Sequence, residues 1–188
     1  LEATPFRGIA GGGERGDGAA VKTVFHHQDL WLRDLLAMAL QPCQLEGGFA
    51  EAPVQSARAF REILEALARP GTIRRVQGAA PPAPLSIAAG VALLVLTDPT
   101  TRLHLAGAAD CPAVRDWVAF HIGSPLADAE EADFAVGSWE ALNPVHRFKI
   151  GQPDYPDRSA MLIVECAELV NRGPALTGPG IETATRLN

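Results

Sequence analysis

The stretch Ala160-Met161-Leu162-Ile163-Val164-Glu165-Cys166 carries the strongest strand signal of this 188-residue chain. Its apolar run is continuous, which is typical of a strand buried on both faces of a sheet. Working outward, we predict strands at residues 134–136 and 102–105, separated by helical segments. Because strands and helices alternate along the chain, the sequence favours a single domain of layered α/β architecture.

The helix nearest the N-terminal end of this pattern is predicted over residues 56–68, with Ser56 as its N-cap. Its apolar residues recur at the spacing of one helical face. These residues are Phe60, Ile63, Leu64 and Leu67. We expect this face to be buried and the pairs Arg58–Glu62 and Arg61–Glu65 to stabilise the wet side. Pro70-Gly71 ends the helix, and a short strand is predicted at residues 72–76.

Two further helices complete the pattern. Residues 87–96 are ambiguous by periodicity, and we favour a buried helix capped by Ser86 over a strand. The next helix begins near Pro112 with Asp110 as its cap and ends before Gly123. Its predicted apolar face consists of Val114, Trp117 and Val118, with His121 one turn further along the same face.

Several segments are predicted to be irregular. Glycine-rich residues 8–20 cannot bury enough apolar surface to offset the entropy of ordering. Residues 29–40 could form a short helix, although Met38 could equally be an initiator that follows a leader. His26-His27 is interpreted as part of a solvated linker. Residues 137–157 are predicted to be a long loop. Near the C-terminal end we predict a strand at residues 176–177, neighbouring the others, and a tight turn at Gly178-Pro179-Gly180.

Composition excludes several classes of function. The net charge is −6 and there are two lysines, Lys22 and Lys149, so the chain lacks the basic surface of a nucleic-acid or membrane-surface binder. The three cysteines show neither the paired spacing of a zinc site nor that of a disulfide framework. The apolar run at residues 87–96 is half the length of a membrane span. We therefore expect a cytoplasmic protein that binds neither nucleic acid nor membrane.

No complete catalytic constellation is apparent. Ser159 lacks the glycine-flanked elbow of a serine nucleophile, and neither a P-loop nor a G-x-G-x-x-G motif is present. The histidines are isolated and have no second ligand at helical spacing, so we expect no metal site. Arg158 is a candidate for binding an anion, because a guanidinium matches phosphate geometry. It could equally pair with Asp154 or Asp157.

From about Gly47 onward the chain resembles the H subunit (PhnH) family of the bacterial carbon–phosphorus lyase complex. The resemblance rests on the order of several segments over roughly 135 residues. These are Gly47-Gly48-Phe49, Ala59-Phe60-Arg61, Ala66-Leu67-Ala68-Arg69-Pro70-Gly71-Thr72-Ile73, residues 93–98, Arg102-Leu103-His104-Leu105, Phe120-His121-Ile122-Gly123-Ser124-Pro125-Leu126, Tyr155-Pro156-Asp157-Arg158-Ser159-Ala160, Leu162-Ile163-Val164 and Leu176-Thr177-Gly178-Pro179-Gly180-Ile181.

The resemblance implies a role in phosphonate catabolism. In that family the H subunit forms homodimers and joins the G, I and J subunits, docking on J. The complex attaches an alkylphosphonate to the ribose C1 of ATP and releases adenine. The fold resembles the main domain of pyridoxal-phosphate-dependent transferases without the cofactor site, so no cofactor is expected. The sequence agrees, because Lys149 lies in a Gly- and Pro-rich loop rather than in a buried Schiff-base position.

Two departures from the family shape the expected domain organisation. Residues 1–45 have no counterpart, and we expect a poorly structured extension or leader there. Residues 46–188 are expected to form one PhnH-like domain, truncated at its C-terminus relative to family members. We expect an accessory subunit that is not catalytic alone. The alternatives are a direct substrate-binding or catalytic role, with Arg158, His121 and Arg69 as candidates, and a stand-alone pyridoxal-phosphate transferase.

Overall fold

Three parallel strands form the centre of the fold in a computed structural model, which describes residues 46–187. The interpretations of the glycine-rich segment, of His26-His27, of residues 29–40 and of the extension at residues 1–45 lie outside the described residues. The helices and strands follow in chain order. They are α1 (Ala52–Ala68), α2 (Ile87–Leu96), β1 (Leu103–Leu105), α3 (Pro112–His121), β2 (Phe134–Ser138), α4 (Trp139–Leu142), β3 (Met161–Glu165), β4 (Ala175–Leu176) and β5 (Thr185–Arg186).

The sheet has the order β1-β2-β3 and is parallel throughout. Val136 of β2 lies between Leu105 of β1 and Ile163 of β3. The three strands predicted around residues 102–105, 134–136 and 160–166 are therefore confirmed, and so is the mixed α/β class. The prediction that β3 is buried on both faces is wrong, because Met161 and Val164 are exposed. The reason is incomplete cover: β3 is one of the two edge strands, and its side chains are less covered than those of the other edge strand, β1.

Two buried clusters lie on opposite faces of the sheet, since successive side chains of a strand point to opposite sides. Val136 and Ile163 belong to the larger cluster, with residues of α2 and α3. Ala135 and Leu162 belong to the smaller cluster, which also contains Leu142 of α4. Helices thus cover both faces of the sheet, as layered α/β folds require.

Helix α1 departs from the prediction in three respects. It begins at Ala52 after Glu51, not at Ser56, whose hydroxyl donates to the carbonyl oxygen of Ala52 within the helix. Its buried residue is Ala59, which packs towards α2. Three apolar side chains that were predicted to be buried are about half exposed. They are Phe60 (47%), Leu64 (51%) and Leu67 (54%); we call these three residues the α1 stripe.

The ion pairs of α1 also differ from those predicted. Glu62 pairs with Arg74 at 2.8 Å, and Glu65 pairs with Arg69 at 3.3 Å. The predicted pairs Arg58–Glu62 and Arg61–Glu65 are therefore wrong. At Glu62 the reason is tertiary, because the chain turns back after α1 and brings Arg74 to it. At Glu65 the partner is local, four residues further along the chain.

Helices α2 and α3 largely confirm the sequence analysis. Ser86 caps α2 by accepting a hydrogen bond from the backbone N–H of Ala89. Gly123 follows the end of α3 with φ +71°, the left-handed conformation expected of a helix stop. Asp110 does not cap α3, because its carboxylate binds Arg115 through a bond of 2.5 Å to Nε. That pair holds the pKa of Asp110 below its ordinary value.

The peripheral strands were only partly predicted. Residues 72–76 form no strand, since no backbone hydrogen bond within the described residues involves residues 73–77. Strand β4 exists at Ala175–Leu176, but it pairs with β5 in a separate antiparallel hairpin and does not neighbour β3. Gly178-Pro179-Gly180 is a tight turn as predicted, closed by a 3.1 Å bond from the N–H of Ile181 to the carbonyl oxygen of Gly178.

The predicted loop at residues 137–157 is shorter than expected. Its first two residues complete β2, and α4 follows immediately with Ser138 as its cap. Within residues 46–187, no helix is long and apolar enough to cross a membrane.

Candidate functional site

A cleft of about 520 Å³ contains Arg158, the anion-binding candidate of the sequence analysis. Its walls come from three connections: the turn before β1, the end of the loop before β2 and the segment before β3. The lining residues are Thr100, Thr101, Asp133, Lys149, Asp157 and Arg158.

Asp133 organises the floor of this cleft. Its carboxylate accepts hydrogen bonds from the ammonium group of Lys149 and, at 2.9 Å, from the backbone N–H of Arg102. Burial alone would raise the pKa of Asp133, but the bonds from Lys149 and Arg102 outweigh it, so this pKa lies below its ordinary value. Asp133 is therefore ionised and fixed at neutral pH, and it forms an ion pair with Lys149.

The rim of the cleft is a turn closed by Asp98. One oxygen of its carboxylate accepts bonds from the hydroxyls of Thr100 and Thr101, at 2.7 and 2.8 Å. Those bonds, led by the one from Thr100, hold the pKa of Asp98 below its ordinary value. Both threonine hydroxyls are consequently committed to this turn as donors.

Arg158 is the cationic group of the cleft that lacks an ion pair among the described residues. Its guanidinium lies 4.0 Å from the centroid of the Tyr155 ring, a cation–π contact. The alternative partners Asp154 and Asp157 form no ion pair with it in the part of the chain that the structure describes. Arg158 is thus positioned by an aromatic face and retains donors that can bind an oxyanion.

The position of this cleft in the sheet bears on what it can do. Arg102, Asp133 and Ala160 each precede the first residue of a parallel strand, so the cleft lies at the amino ends of the strands. In open α/β sheets, ligands bind outside the carboxyl ends. The Asp133–Lys149 pair therefore has the position of a structural tie between loops rather than of a catalytic pair.

His121 lies elsewhere, at the end of α3. One ring nitrogen, Nε2, lies 3.2 Å from the carbonyl oxygen of Glu46, and the ring contacts those of Trp117 and Phe120. A Cβ added at Gly48 would lie 2.5 Å from Nδ1 of His121. The imidazole therefore fills the space against the segment before α1, which favours the packing interpretation of this residue.

Arg69, the third candidate, follows the last residue of α1 and pairs with Glu65 on an exposed surface. No hydrogen bond or ion pair joins Arg69, His121 and Arg158 within residues 46–187, and the cleft of Arg158 is lined by neither of the other two. The structure thus does not bring the three candidates together. It does bring together Asp133 and Lys149, which sequence reasoning missed because a strand, a short helix and a loop lie between them in the chain.

The other polar candidates have packing partners. His104 Nδ1 lies 3.0 Å from the carbonyl oxygen of Ala127, and its ring meets Phe148 edge to face. Ser159 donates to the carbonyl oxygen of Pro156 at 3.0 Å, as a turn residue does. Among the described residues no group of three or more His, Cys, Asp or Glu side chains could hold a metal ion.

Comparison with known proteins identifies the family. The family described as bacterial phosphonate metabolism protein (PhnH) matches residues 47–188. The chain belongs to the PhnH family. The chain is also 37% identical, over 149 residues, to a protein of Rhizobium meliloti (strain 1021) named alpha-D-ribose 1-methylphosphonate 5-triphosphate synthase subunit PhnH. That alignment covers 77% of this chain and 74% of the relative.

The segments that carry the PhnH resemblance contact one another in space. Gly180 of the C-terminal turn leaves no room for a side chain, since an added Cβ would lie 2.9 Å from the carbonyl oxygen of Ala68 and 3.0 Å from Cδ of Pro70. Gly48 abuts His121 in the same manner. These PhnH motifs therefore act as contact points between distant segments, and their residue types follow from packing.

Proposed function

We propose that the chain is the PhnH subunit of alpha-D-ribose 1-methylphosphonate 5-triphosphate synthase and has an accessory, structural role in that complex. Membership of the PhnH family and the name of the relative from Rhizobium meliloti support this assignment. The cytoplasm is the proposed location, because Cys111 and Cys166 are both free thiols, as in reducing compartments.

The observation that carries the accessory role is the α1 stripe. Phe60, Leu64 and Leu67 recur at the spacing of one helical face and are each about half exposed. A contiguous apolar patch of this kind marks a contact surface, because its burial stabilises association. We take the J subunit of the synthase as its occupant, with the G and I subunits joining the same assembly.

The experiment is co-purification of the chain with tagged G, I and J subunits. The double substitution Leu64→Glu/Leu67→Glu should abolish recovery of the chain, because two carboxylates would be buried against an apolar partner surface. Ile150→Glu is the control: Ile150 is 77% exposed and lies outside α1, so the substitution adds a carboxylate at an exposed apolar residue elsewhere in the chain.

Circular dichroism should show the folded chain in both variants. Normal recovery of the α1 variant would overturn the proposed docking surface. Failure of the unmodified chain to join the G, I and J subunits would overturn the function itself. If size-exclusion chromatography shows that the α1 variant converts a homodimer to a monomer while it still joins J, the stripe is a homodimer interface instead.

A second candidate function is direct substrate binding within the same synthase. It is favoured by Arg158, whose guanidinium faces a cleft without an ion pair among the described residues. Arg158→Ala should then abolish adenine release from ATP by the assembled complex without changing its composition. His121→Ala and Arg69→Ala test the other two candidates in the same assay. Full activity in all three variants would exclude this role.

A more specific fold can be proposed than the three-stranded sheet described above. We infer a likeness to the main domain of pyridoxal-phosphate-dependent transferases without a functional cofactor site. Supporting this, Lys149 is bound to Asp133 at the amino ends of the strands. A Schiff-base lysine requires a neutral amine free to attack an aldehyde. Absence of an aldimine absorbance band after incubation with pyridoxal phosphate is the expected result.

The proposed domain organisation is an extension over residues 1–45 followed by a PhnH-like domain over residues 46–188. The family match begins at residue 47, close to that boundary. Removal of residues 1–45 should therefore leave co-purification with the synthase subunits unchanged.

A further inference from the structure

A second cleft, of about 570 Å³, lies between α1 and the segment that follows it. Four of its lining residues come from one face of α1, at helical spacings of three and four. They are Gln55, Arg58, Ala59 and Glu62. The opposite wall is residues 75–78, whose side chains include a second arginine, Arg75.

The charges of this cleft are unbalanced. Glu62, its carboxylate, is paired with Arg74 at 2.8 Å. The guanidinium groups of Arg58 and Arg75 form no hydrogen bond or ion pair with any other described residue. Two uncompensated guanidinium groups therefore line one cleft of a chain whose net charge is −6.

The neutral groups of the cleft include further donors. Gln55 uses its carbonyl oxygen Oε1 to accept the backbone N–H of Glu51 at 2.8 Å, which leaves the amide Nε2 as a donor. Gly78 has φ +113° and keeps the opposite wall close, since an added Cβ would lie 3.2 Å from Nε2 of Gln55. The backbone N–H groups of residues 75–77 have no backbone partner within the described residues.

We propose that this cleft binds a phosphate or phosphonate group through Arg58 and Arg75, with Gln55 as an additional donor. Guanidinium groups offer parallel N–H donors that match the oxygens of a tetrahedral oxyanion. A cleft also screens such charges less than an open surface does. The site itself stands on the geometry alone. The choice between a methylphosphonate and a triphosphate as its ligand rests on the proposed function.

The test is isothermal titration of the full chain with methylphosphonate and, separately, with tripolyphosphate at low ionic strength. We expect binding of at least one of them, weakened by added sodium chloride. The variant Arg58→Gln/Arg75→Gln should bind at least about tenfold more weakly, equivalent to about 1.4 kcal/mol. Preference for methylphosphonate would identify a phosphonate subsite, and preference for tripolyphosphate would identify a polyphosphate subsite.

Two controls distinguish binding in this cleft from nonspecific attraction of the anion to positive charge. Arg61→Gln/Arg172→Gln removes the same charge from exposed arginines that do not line the cleft, and its affinity should match that of the unmodified chain. Glu62→Gln should bind more tightly, because it removes the negative charge beside the anion and releases Arg74. Thermal unfolding verifies that each variant is folded.

The proposal is overturned if neither anion binds, if the Arg58/Arg75 variant keeps its affinity, or if the Arg61/Arg172 variant loses as much. These results are distinguishable from failure of the proposed function. Co-purification with the synthase subunits depends on the α1 stripe, which contains no residue of this cleft.

Discussion

At the scale of single residues, most of the polar groups that attracted notice in the sequence serve packing. His121 fills space against Gly48, and Asp110 binds Arg115 rather than capping a helix. The ionic contact that matters to the loops around the sheet is the Asp133–Lys149 pair, together with the backbone N–H of Arg102. Sequence reasoning could not find this pair, because Asp133 and Lys149 lie sixteen positions apart, at no helical or hairpin spacing.

Replacing this carboxylate should weaken the fold in a pH-dependent manner. Since the pKa of Asp133 is lower in the folded chain, its contribution is fully present above its unfolded pKa of about 3.9 and is lost as the pH falls through the folded pKa. Asp133→Asn should therefore reduce the unfolding free energy by about 1 kcal/mol at pH 7, a value discounted for partial exposure. The difference from the unmodified chain should shrink as the pH falls below about 4.

Urea denaturation at a series of pH values measures this effect. Asp154→Asn serves as the control, because Asp154 is exposed and forms no ion pair among the described residues. A loss for Asp133→Asn that is the same at pH 3 and pH 7 would contradict the assignment.

The contact between Gly48 and His121 makes a second prediction at this scale. Gly48→Ala should destabilise the fold by about 1–3 kcal/mol, because the new methyl group overlaps the imidazole. In a His121→Ala background the same substitution should cost much less. A double-mutant cycle by thermal unfolding measures the coupling, and strictly additive effects would show that the two residues do not meet.

At the scale of elements, local patterns predicted which segments are regular but not which faces are covered. Helix α3 follows from periodicity and turn residues, α2 from its Ser86 cap and helix-forming residues, and the strands from short apolar or alternating runs. The α1 stripe shows the limit: the i, i+3, i+4 spacing establishes an amphipathic helix, yet burial depends on what lies opposite. Residues 72–76 have the residue types of a strand but no strand partner, which periodicity cannot reveal.

Two leucines, one in the core and one in the α1 stripe, test whether a predicted apolar face is covered within the chain. Leu93 of α2 is fully buried in the larger cluster, so Leu93→Ala should lower the unfolding free energy by about 2–5 kcal/mol. Leu64 of the α1 stripe is half exposed, so Leu64→Ala in the isolated chain should change it by about 0.5 kcal/mol or less. Urea midpoints measure both. A cost at Leu64 equal to that at Leu93 would mean that the stripe is covered within the chain.

At the scale of the whole molecule, stability is concentrated at the central strand. Strand β2 pairs on both sides and contributes to both buried clusters. The β4–β5 hairpin pairs two residues from each strand and is tied to the turn after α1 by a 2.8 Å bond from Asn171 to the carbonyl oxygen of Gly71. The candidate sites lie outside this centre: the Arg158 cleft is formed by connections, and the Arg58 and Arg75 cleft by α1 and the segment after it. Neither spacing nor composition could have located the second cleft.

Amide hydrogen exchange should show higher local stability in the central strand than in the β4–β5 hairpin. We expect the slowest exchange in β2 and markedly faster exchange in β4 and β5, because few contacts oppose local opening of the hairpin. Mass spectrometry of peptic fragments provides the measurement. If the J subunit binds the α1 stripe as proposed, it should slow exchange in α1 and leave β2 unchanged, and protection confined to the hairpin would move the interface there.

The α1 stripe also has a consequence for the cell. If the stripe is the proposed docking surface, a copy without its partner displays three large apolar side chains on one helix, which is the kind of surface that chaperones and proteases select. Surplus copies would then be removed, and the amount of this subunit would follow the amount of its partner. The exposed helix face would thus act as a sensor of subunit stoichiometry, without any dedicated regulatory element.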